Sequence, residues 1–525
     1  MDATRRAGLP HPPARIRWDA TLVPVLALTF LLGELPLLLS ACCAPQGATG
    51  LGTVWFVNDF AQYEAAMRQG SEQQGWLVRD VFSPEPHGLA FMFPLYVGLG
   101  KVAALAHVPA ELLERLAEVL ARGLFVVALW RFCRAFASSR SAARVALLLA
   151  LFGGGFELPT AAFGAVLGRA VYVGNWSYEL NSLGLLFAAP HVPLAAASTL
   201  ELATRSLRPG AAATPRGLMV TAGLVAATSL LHPFHVPALV GAMGLVGLVY
   251  WRTGRGTGTL LAAVVAGLAA LPVLLPTVAT FSLDAFWGAT YTAQNLLPSP
   301  LPHELLVDVG PMLLLALLGL RRTGAGAFGL IIWLLLALIA MYLPVPYQRR
   351  LAFGAQPALA VVAANALVAV AAVLGRRRAA ALRLGVAAAA ASSSLLVLVG
   401  VLASSVRNAP VPVYRSTPDI DAAAAWLAGR TGPGEVVLAD WDVANYLAPR
   451  IGRAASFSGH PVATLYPDQK RLQTAALFAH GGNRDLARLM GVHWIVYGPA
   501  EAGLAQPPQP AAFASGPVRV YQVVE

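Results

Sequence analysis

The acidic residue Asp59 stands in the stretch VWFVNDFAQYEAAMRQG, which begins at Val54 directly after the first long apolar run of the chain. A carboxylate held there could act as a general base, taking a proton from a hydroxyl in a transition state. It could equally be a helix N-cap, with Gln62 three residues on as its reciprocal partner and Gly70 ending the helix. A capping carboxylate accepts backbone N–H bonds, which lower its pKa and weaken it as a base. The local pattern leaves both readings open.

Other stretches hold residue types suited to the same chemistry. Arg349 and Arg350 end PYQRR. Guanidinium forks bind phosphate bidentately, whereas the plain alternative is snorkelling to lipid headgroups. His191 follows a proline in FAAPHVP, and His232 and His235 lie among the prolines of LLHPFHVP. Their spacing is weak for a metal site, with no acidic ligand near in sequence, so hydrogen bonding within the fold, or to a phosphate or sugar, is the fuller reading. Glu157 in GGGFELP lies at a predicted membrane boundary, where an ionisable group is a functional candidate and simple loop exposure the alternative. Glu179 and Asn181 follow in NWSYELN, and Asp80, Glu85 and His87 in RDVFSPEPHG. Glu34 falls inside the first apolar run and needs a partner in the bundle or a proton.

The elements that must position these groups are membrane helices. Hydrophobic residues are 57% of the 525-residue chain and charged residues 12%, about half the ~25% of a soluble domain. Apolar stretches of about 20 residues recur, the length needed to cross a bilayer. A bilayer offers backbone groups no water, and strong apolar runs argue for helices over a β-barrel. The net charge of +11 falls in short basic clusters between these runs, not in a stripe interleaved with aromatics, which excludes nucleic acid as the partner. Three cysteines make no disulfide framework. LSAC, ending at Cys42, has the form of a lipoprotein cleavage box. The preceding run is long and more follow, so an uncleaved first helix is the reading.

The pattern predicts an all-α polytopic bundle of about eleven transmembrane helices. They run over 19–41, 111–132, 143–163, 183–204, 217–233, 235–251, 259–281, 304–320, 325–343, 352–374 and 384–405. Arg5, Arg6, Arg15 and Arg17 put the tail 1–18 on the cytoplasmic side, and alternation makes every inner loop basic. The long segments, including the first loop 42–110, are then outside, and Arg349 and Arg350 break the charge rule on that side. Pro233 and Pro237 should break the helix between spans five and six. The membrane domain spans 19–406. After it, residues 407–525 have ordinary polarity and predict a small extracytoplasmic α/β domain. DIDAAAAWLAGR, DQKRLQTAALFA and NRDLARLM read as helices, and EVVLAD, HWIVYG and VRVYQVV as strands. It holds no GxGxxG and no P-loop.

This layout resembles the GT-C superfamily of membrane glycosyltransferases, closest to uncharacterised bacterial glycosyltransferase-like multi-pass proteins. NDFAQYEAAMRQG matches the place of a catalytic acid after the first span, and GLAFMFPLYVGLGKVAAL the surface helix of that loop. PYQRRLAFGAQPALA is similar to the arginine-bearing segment late in such bundles. The resemblance implies inverting transfer of a sugar from a polyprenyl-phosphate carrier to a glycan, lipid or protein acceptor, in the bacterial cytoplasmic (inner) membrane. It implies Asp59 as general base and Glu157 as a second acid. It implies Arg349 and Arg350 on the lipid phosphate, with His191, His232, His235, Tyr63 and Gln348 completing the substrate-binding set. Asn58-Asp59 replaces the paired acids usual in that loop, so the metal requirement, a divalent magnesium or manganese ion, stays open. Two other readings stand beside it. A transporter or flippase would use Glu34 and the proline-broken turn, and a non-catalytic assembly protein would need Asp59 only as a cap.

Overall fold

The computed structural model describes residues 19–50, 52–53, 55–168, 178–208, 214–319, 327–406 and 415–523. The basic tail 1–18 and the basic loop 321–324, both assigned to the inner side, lie outside these residues. Among the described residues, six stretches are helical, long and apolar enough to cross a membrane: Leu22–Cys42, Arg140–Val166, Pro233–Arg252, Gly258–Leu283, Gln348–Val373 and Arg376–Val406. They coincide with six of the eleven expected spans. The other five expected spans are also helical, but most are short or strongly charged.

In chain order the bundle begins with α1 (Leu22–Cys42), followed by a hairpin of α2 (Val57–Glu72) and α3 (Pro94–Ala106). The long helix α4 (Ala110–Phe136) then carries Glu111, Glu114, Arg115, Glu118 and Arg122 in its first half. The predicted span 143–163 is broken into α5 (Arg140–Phe152) and α6 (Glu157–Val166). The cause is the GGG run. The backbone at Gly155 lies so close to Val307 that a Cβ would overlap its carbonyl oxygen, and Phe156 N–H donates to that oxygen at 2.6 Å. The helix α7 (His191–Ser206) starts eight residues later than expected, after a 3-10 turn over Ser182–Leu186. Between α8 (Pro215–Leu231) and α9 (Val236–Arg252) the prolines enforce the expected break, a 3-10 turn at Pro233–His235. There follow α10 (Gly258–Leu283), α11 (Ala285–Asn295), α12 (Pro302–Gly319) and α13 (Phe328–Ala340). A 3-10 turn at Gln348–Ala352 then leads into α14 (Ala355–Val373) and α15 (Arg376–Val406).

The core of the bundle is Ala- and Leu-rich, with α14 buried along most of its length. Small residues let helix backbones approach closely where lipid provides no hydrophobic drive for association. Several of the charges inside it are paired. Arg122 of α4 bonds Glu34 of α1 and reaches Glu118 at 3.2 Å. Glu34 therefore has the partner that its place in the first apolar run demanded, and Gly33 leaves room for that guanidinium.

The C-terminal unit holds a five-stranded sheet. Its strands are β3 (Val436–Leu438), β4 (Ala455–Ser456), β5 (Trp494–Tyr497), β6 (Phe513–Ser515) and β7 (Val518–Gln522), in the order β4-β3-β5-β7-β6. The first three pair in parallel and the last two join antiparallel. Its helices are α16 (Pro418–Ala428), α17 (Trp441–Leu447), α18 (Pro467–Ala479) and α19 (Arg484–Leu489). All six expected elements are present; α17, β4 and β6 add to them. The unit is stitched to the bundle by two short strands, β1 (Thr49–Gly50) and β2 (Arg415–Ser416), paired antiparallel. Buried Arg415 donates to the carbonyls of Ser40 at 3.0 Å and Ser405 at 3.3 Å, tying the ends of α1 and α15 together.

The hairpin of α2 and α3 is the element nearest the chemistry. Gly70 and Gly100 let the two backbones meet: a Cβ on either would overlap a carbonyl oxygen of the other helix, Val97 or Met67. Overpacking of this kind costs about 1–3 kcal/mol. Gly100→Ala should therefore lower the thermal unfolding midpoint in detergent. Gly98→Ala should leave it unchanged, because a Cβ there meets the Trp76 ring at an ordinary 3.6 Å.

Candidate active site

Phe56 enters α2 in the left-handed region, at φ 52°, and the helix begins at Val57. Asp59 is thus the third residue of the helix, and the N-cap residue Phe56 supplies no side-chain cap bond. Gln62 does not turn back to it. Its amide meets His460 Nε2 of the C-terminal unit at 2.7 Å. The capping box suggested by DFAQ is not formed, and the half-buried Asp59 carboxylate lines a cavity of about 720 Å³ instead. Burial raises its pKa to about 6, with the charge of Arg350 pulling the other way.

The cavity gathers residues from across the chain. Asp59 and Tyr63, one helical turn apart, come from α2; His191 from the start of α7; His232 from the α8–α9 break; Arg349 and Arg350 from the 3-10 turn before α14. That turn is held by Arg350 N–H donating to the Tyr347 carbonyl at 3.0 Å. The turn gives way to α14 at Gly354, φ 94°, where a Cβ would overlap the buried Trp333 ring. The two guanidinium groups diverge. Arg349 faces the buried Glu179 carboxylate at 3.9 Å. Arg350 donates to Tyr178 Oη at 3.4 Å, meets His232 Nε2 at 3.3 Å, and lies 5.2 Å above the Phe234 ring. Tyr178 and His232 close that triangle at 3.2 Å.

His191 sits one layer away. Its Nδ1 meets Tyr96 Oη at 2.8 Å, and Tyr96 stacks on Tyr63 with ring centroids 4.2 Å apart. Burial and the nearby Asp59 charge both push the Tyr63 phenol up, so it stays protonated and can only donate or accept as a neutral hydroxyl.

Three of the sequence-predicted site residues are placed elsewhere. His235 is buried behind His232, its ring stacked on Phe353 at 3.7 Å, and does not line the cavity. Gln348 spans the loop: with its amide turned to satisfy both ends, it donates to the Leu343 carbonyl at 2.7 Å and accepts from Ser299 N–H at 3.1 Å. Glu157 is fully buried at the start of α6, in the region where Gly155 and Phe156 pack on α12, and also lies outside the cavity lining. The acids of the first loop are likewise committed. Asp80 accepts from Phe82 N–H at 2.7 Å, and Glu85 pairs with Lys470 of α18 at 2.7 Å.

Sequence reasoning missed Tyr178, Tyr96, Glu118 and Tyr291, all at or beside the cavity wall. They come from separate elements and no spacing links them. Only Tyr178 stood next to a flagged residue, Glu179. Among the described residues no three His, Cys, Asp or Glu side chains converge as a metal-binding group.

No protein-family model matches the chain, and no curated protein matches it in sequence. Solved structures do. The Archaeoglobus fulgidus oligosaccharyltransferase in complex with zinc and sulfate aligns with a TM-score of 0.51, over 91% of this chain and 67% of that one, at 15% identity. The arabinofuranosyltransferase AftD from mycobacteria aligns with a TM-score of 0.52, over 98% of this chain and 42% of that one, at 17% identity. The chain therefore has the fold of these two solved membrane-protein structures. At such identities the likeness concerns the course of the chain and assigns no residue a role. The cavity and its charges are therefore this chain's own evidence.

The Asp59 carboxylate should titrate near pH 6. Labelling by a water-soluble carbodiimide and an amine, read at Asp59 by mass spectrometry across pH, should show a midpoint there. Arg350→Met should move that midpoint upward, because the lost positive charge favoured the ionised form.

Proposed function

We propose that this chain is an integral membrane glycosyltransferase. It moves a sugar from a polyprenyl-phosphate carrier onto an acceptor hydroxyl, at the extracytoplasmic face of the bacterial cytoplasmic membrane. The observation that carries the reading is the cavity itself: a raised-pKa carboxylate on α2 and two arginines on the turn before α14 line one space inside a GT-C bundle.

The reaction follows from that arrangement. The acceptor hydroxyl attacks the anomeric carbon, the bond from that carbon to the carrier phosphate breaks, and configuration inverts. Asp59 takes the hydroxyl proton, and a base with pKa near 6 is largely ionised at neutral pH yet retains affinity for that proton. The departing phosphate gains negative charge, which Arg350, flanked by Tyr178 and His232, is placed to stabilise. Arg349, held by Glu179, adds a second positive group at the wall. The carrier's phosphate already activates the sugar, so no nucleotide is needed. The related oligosaccharyltransferase was solved with zinc and sulfate. In this chain the anion's charge falls to arginines, and the proposed steps run through side chains alone.

The competing readings lose their motives. Glu34, the main hint of a transporter, is neutralised by Arg122. The assembly-protein reading needs Asp59 as a cap, and α2 is entered by Phe56 with no side-chain cap bond.

Asp59→Asn should reduce transfer of radiolabelled sugar from a panel of polyprenyl-phosphate donors by about 10²–10⁴-fold at unchanged expression. The wild-type kcat/KM should fall as pH drops through about 6, because protonation removes the base. That acid limb should vanish from the residual activity of the Asn variant. Glu157→Gln, which lies off the cavity, should keep kcat within about threefold once normalised to folded protein. Undiminished transfer by Asp59→Asn would end the base assignment.

A further inference from the structure

The helix that carries Asp59 has two flanks. One turn of α2 presents Asp59 and Tyr63 to the cavity, and the same turn presents Gln62 to the C-terminal unit. Its first turn lacks a side-chain cap and is entered through a left-handed phenylalanine, a conformation that persists only when the surroundings enforce it. On the α3 side the glycine contacts at Gly70 and Gly100 hold the later turns. In the early turns Tyr63 stacks on Tyr96 of α3, and the other flank rests on the C-terminal unit.

His460 is fully buried there. Its Nδ1 accepts from the backbone N–H of Ala463 at 2.9 Å and of Val462 at 3.2 Å. That leaves the ring proton on Nε2, the atom that meets the Gln62 side-chain amide at 2.7 Å. Two residues further on, Val462 reaches the cavity wall itself. A second contact lies one turn of the unit away. Arg450 of the loop after α17 donates to Glu64 at 2.5 Å, with its guanidinium stacked 3.9 Å above the Tyr446 ring. Between them, Ala61 and Ala65 pack against Ala448 and Ala463.

We propose that the C-terminal unit is a working part of the site, and that His460, through Gln62, is the positioning residue that sets Asp59 against Arg350. The unit is then not an appended module: it orients the base and excludes water from its side of the carboxylate. This rests on the reading of Asp59 as the base, and the test separates the two.

The test uses the full-length protein in lipid nanodiscs, with two readouts: the carbodiimide-labelling midpoint of Asp59, and transfer kinetics with radiolabelled polyprenyl-phosphate sugars. His460→Ala should loosen the first turn of α2 and admit water to the carboxylate. The midpoint should move down by about one pH unit toward the ordinary carboxylate range. kcat should fall about tenfold or more, with donor KM within about twofold, as expected for a misplaced group that acts only in the transition state. His460→Gln, which keeps a side-chain N–H donor, should recover most of both. Gln62→Met removes the contact from the other side with a chain of equal length, and should behave as His460→Ala does. It carries the test if the alanine variant does not fold. A midpoint unchanged in the folded variants overturns the proposal whatever the activity does. If the wild type transfers no sugar from any donor while the midpoint still shifts, the glycosyltransferase reading falls and the placement of Asp59 by the C-terminal unit stands.

Discussion

A carboxylate beside an apolar bundle is held at the edge of ionisation by two opposed effects. Loss of water pushes the proton on; a nearby guanidinium pushes it off. Asp59 lies between these, and the rest of the structure can be understood as what keeps the balance in place. The guanidinium needs a rigid mount, which the 3-10 turn at Gln348–Ala352 supplies, seated on α14, the most buried helix of the bundle. The carboxylate needs a helix that cannot drift, and α2 is gripped on one side by the glycine contacts with α3 and on the other by the C-terminal unit. A small displacement of either mount would change both the proton affinity of Asp59 and its reach.

Several other charges of the bundle are balanced by a different route. Arg122 joins Glu34 of α1 and Glu118 of its own helix, and Arg131 joins Glu201 of α7 at 2.9 Å, so these acids and bases cancel each other at contact distance. Paired in this way they staple helices and have no free charge to offer. Asp59 and Arg350 differ because they face across a space. Their charges act on each other without a direct bond, and the gap between them is where a substrate's own charge and proton can enter.

Much of this was legible in the chain. The apolar runs marked helical stretches, six of them among the described residues long and apolar enough to cross a membrane, and the C-terminal pattern predicted three of that unit's four helices and three of its five strands. The proline break at Pro233–His235 was also correctly placed, because proline's missing N–H acts locally. Less legible were features set by distant neighbours. The GGG run broke a predicted span because α12 packs against its backbone, and Gln62 forsook the capping box because a histidine nearly four hundred residues away competes for it.

The division has a physical reason. Hydropathy, helix breaking and charge asymmetry are properties of short windows, so the sequence alone determined a multi-pass helical chain with an α/β end and singled out Asp59, Arg349, Arg350, His191 and His232 as groups worth following. A site is a property of distances between windows. Only the tertiary structure decided that these five line one cavity with Tyr63, that Glu157, His235 and Gln348 stand apart from it, and that Glu34 is spoken for. Only it, too, set the C-terminal unit against the helix that carries the carboxylate.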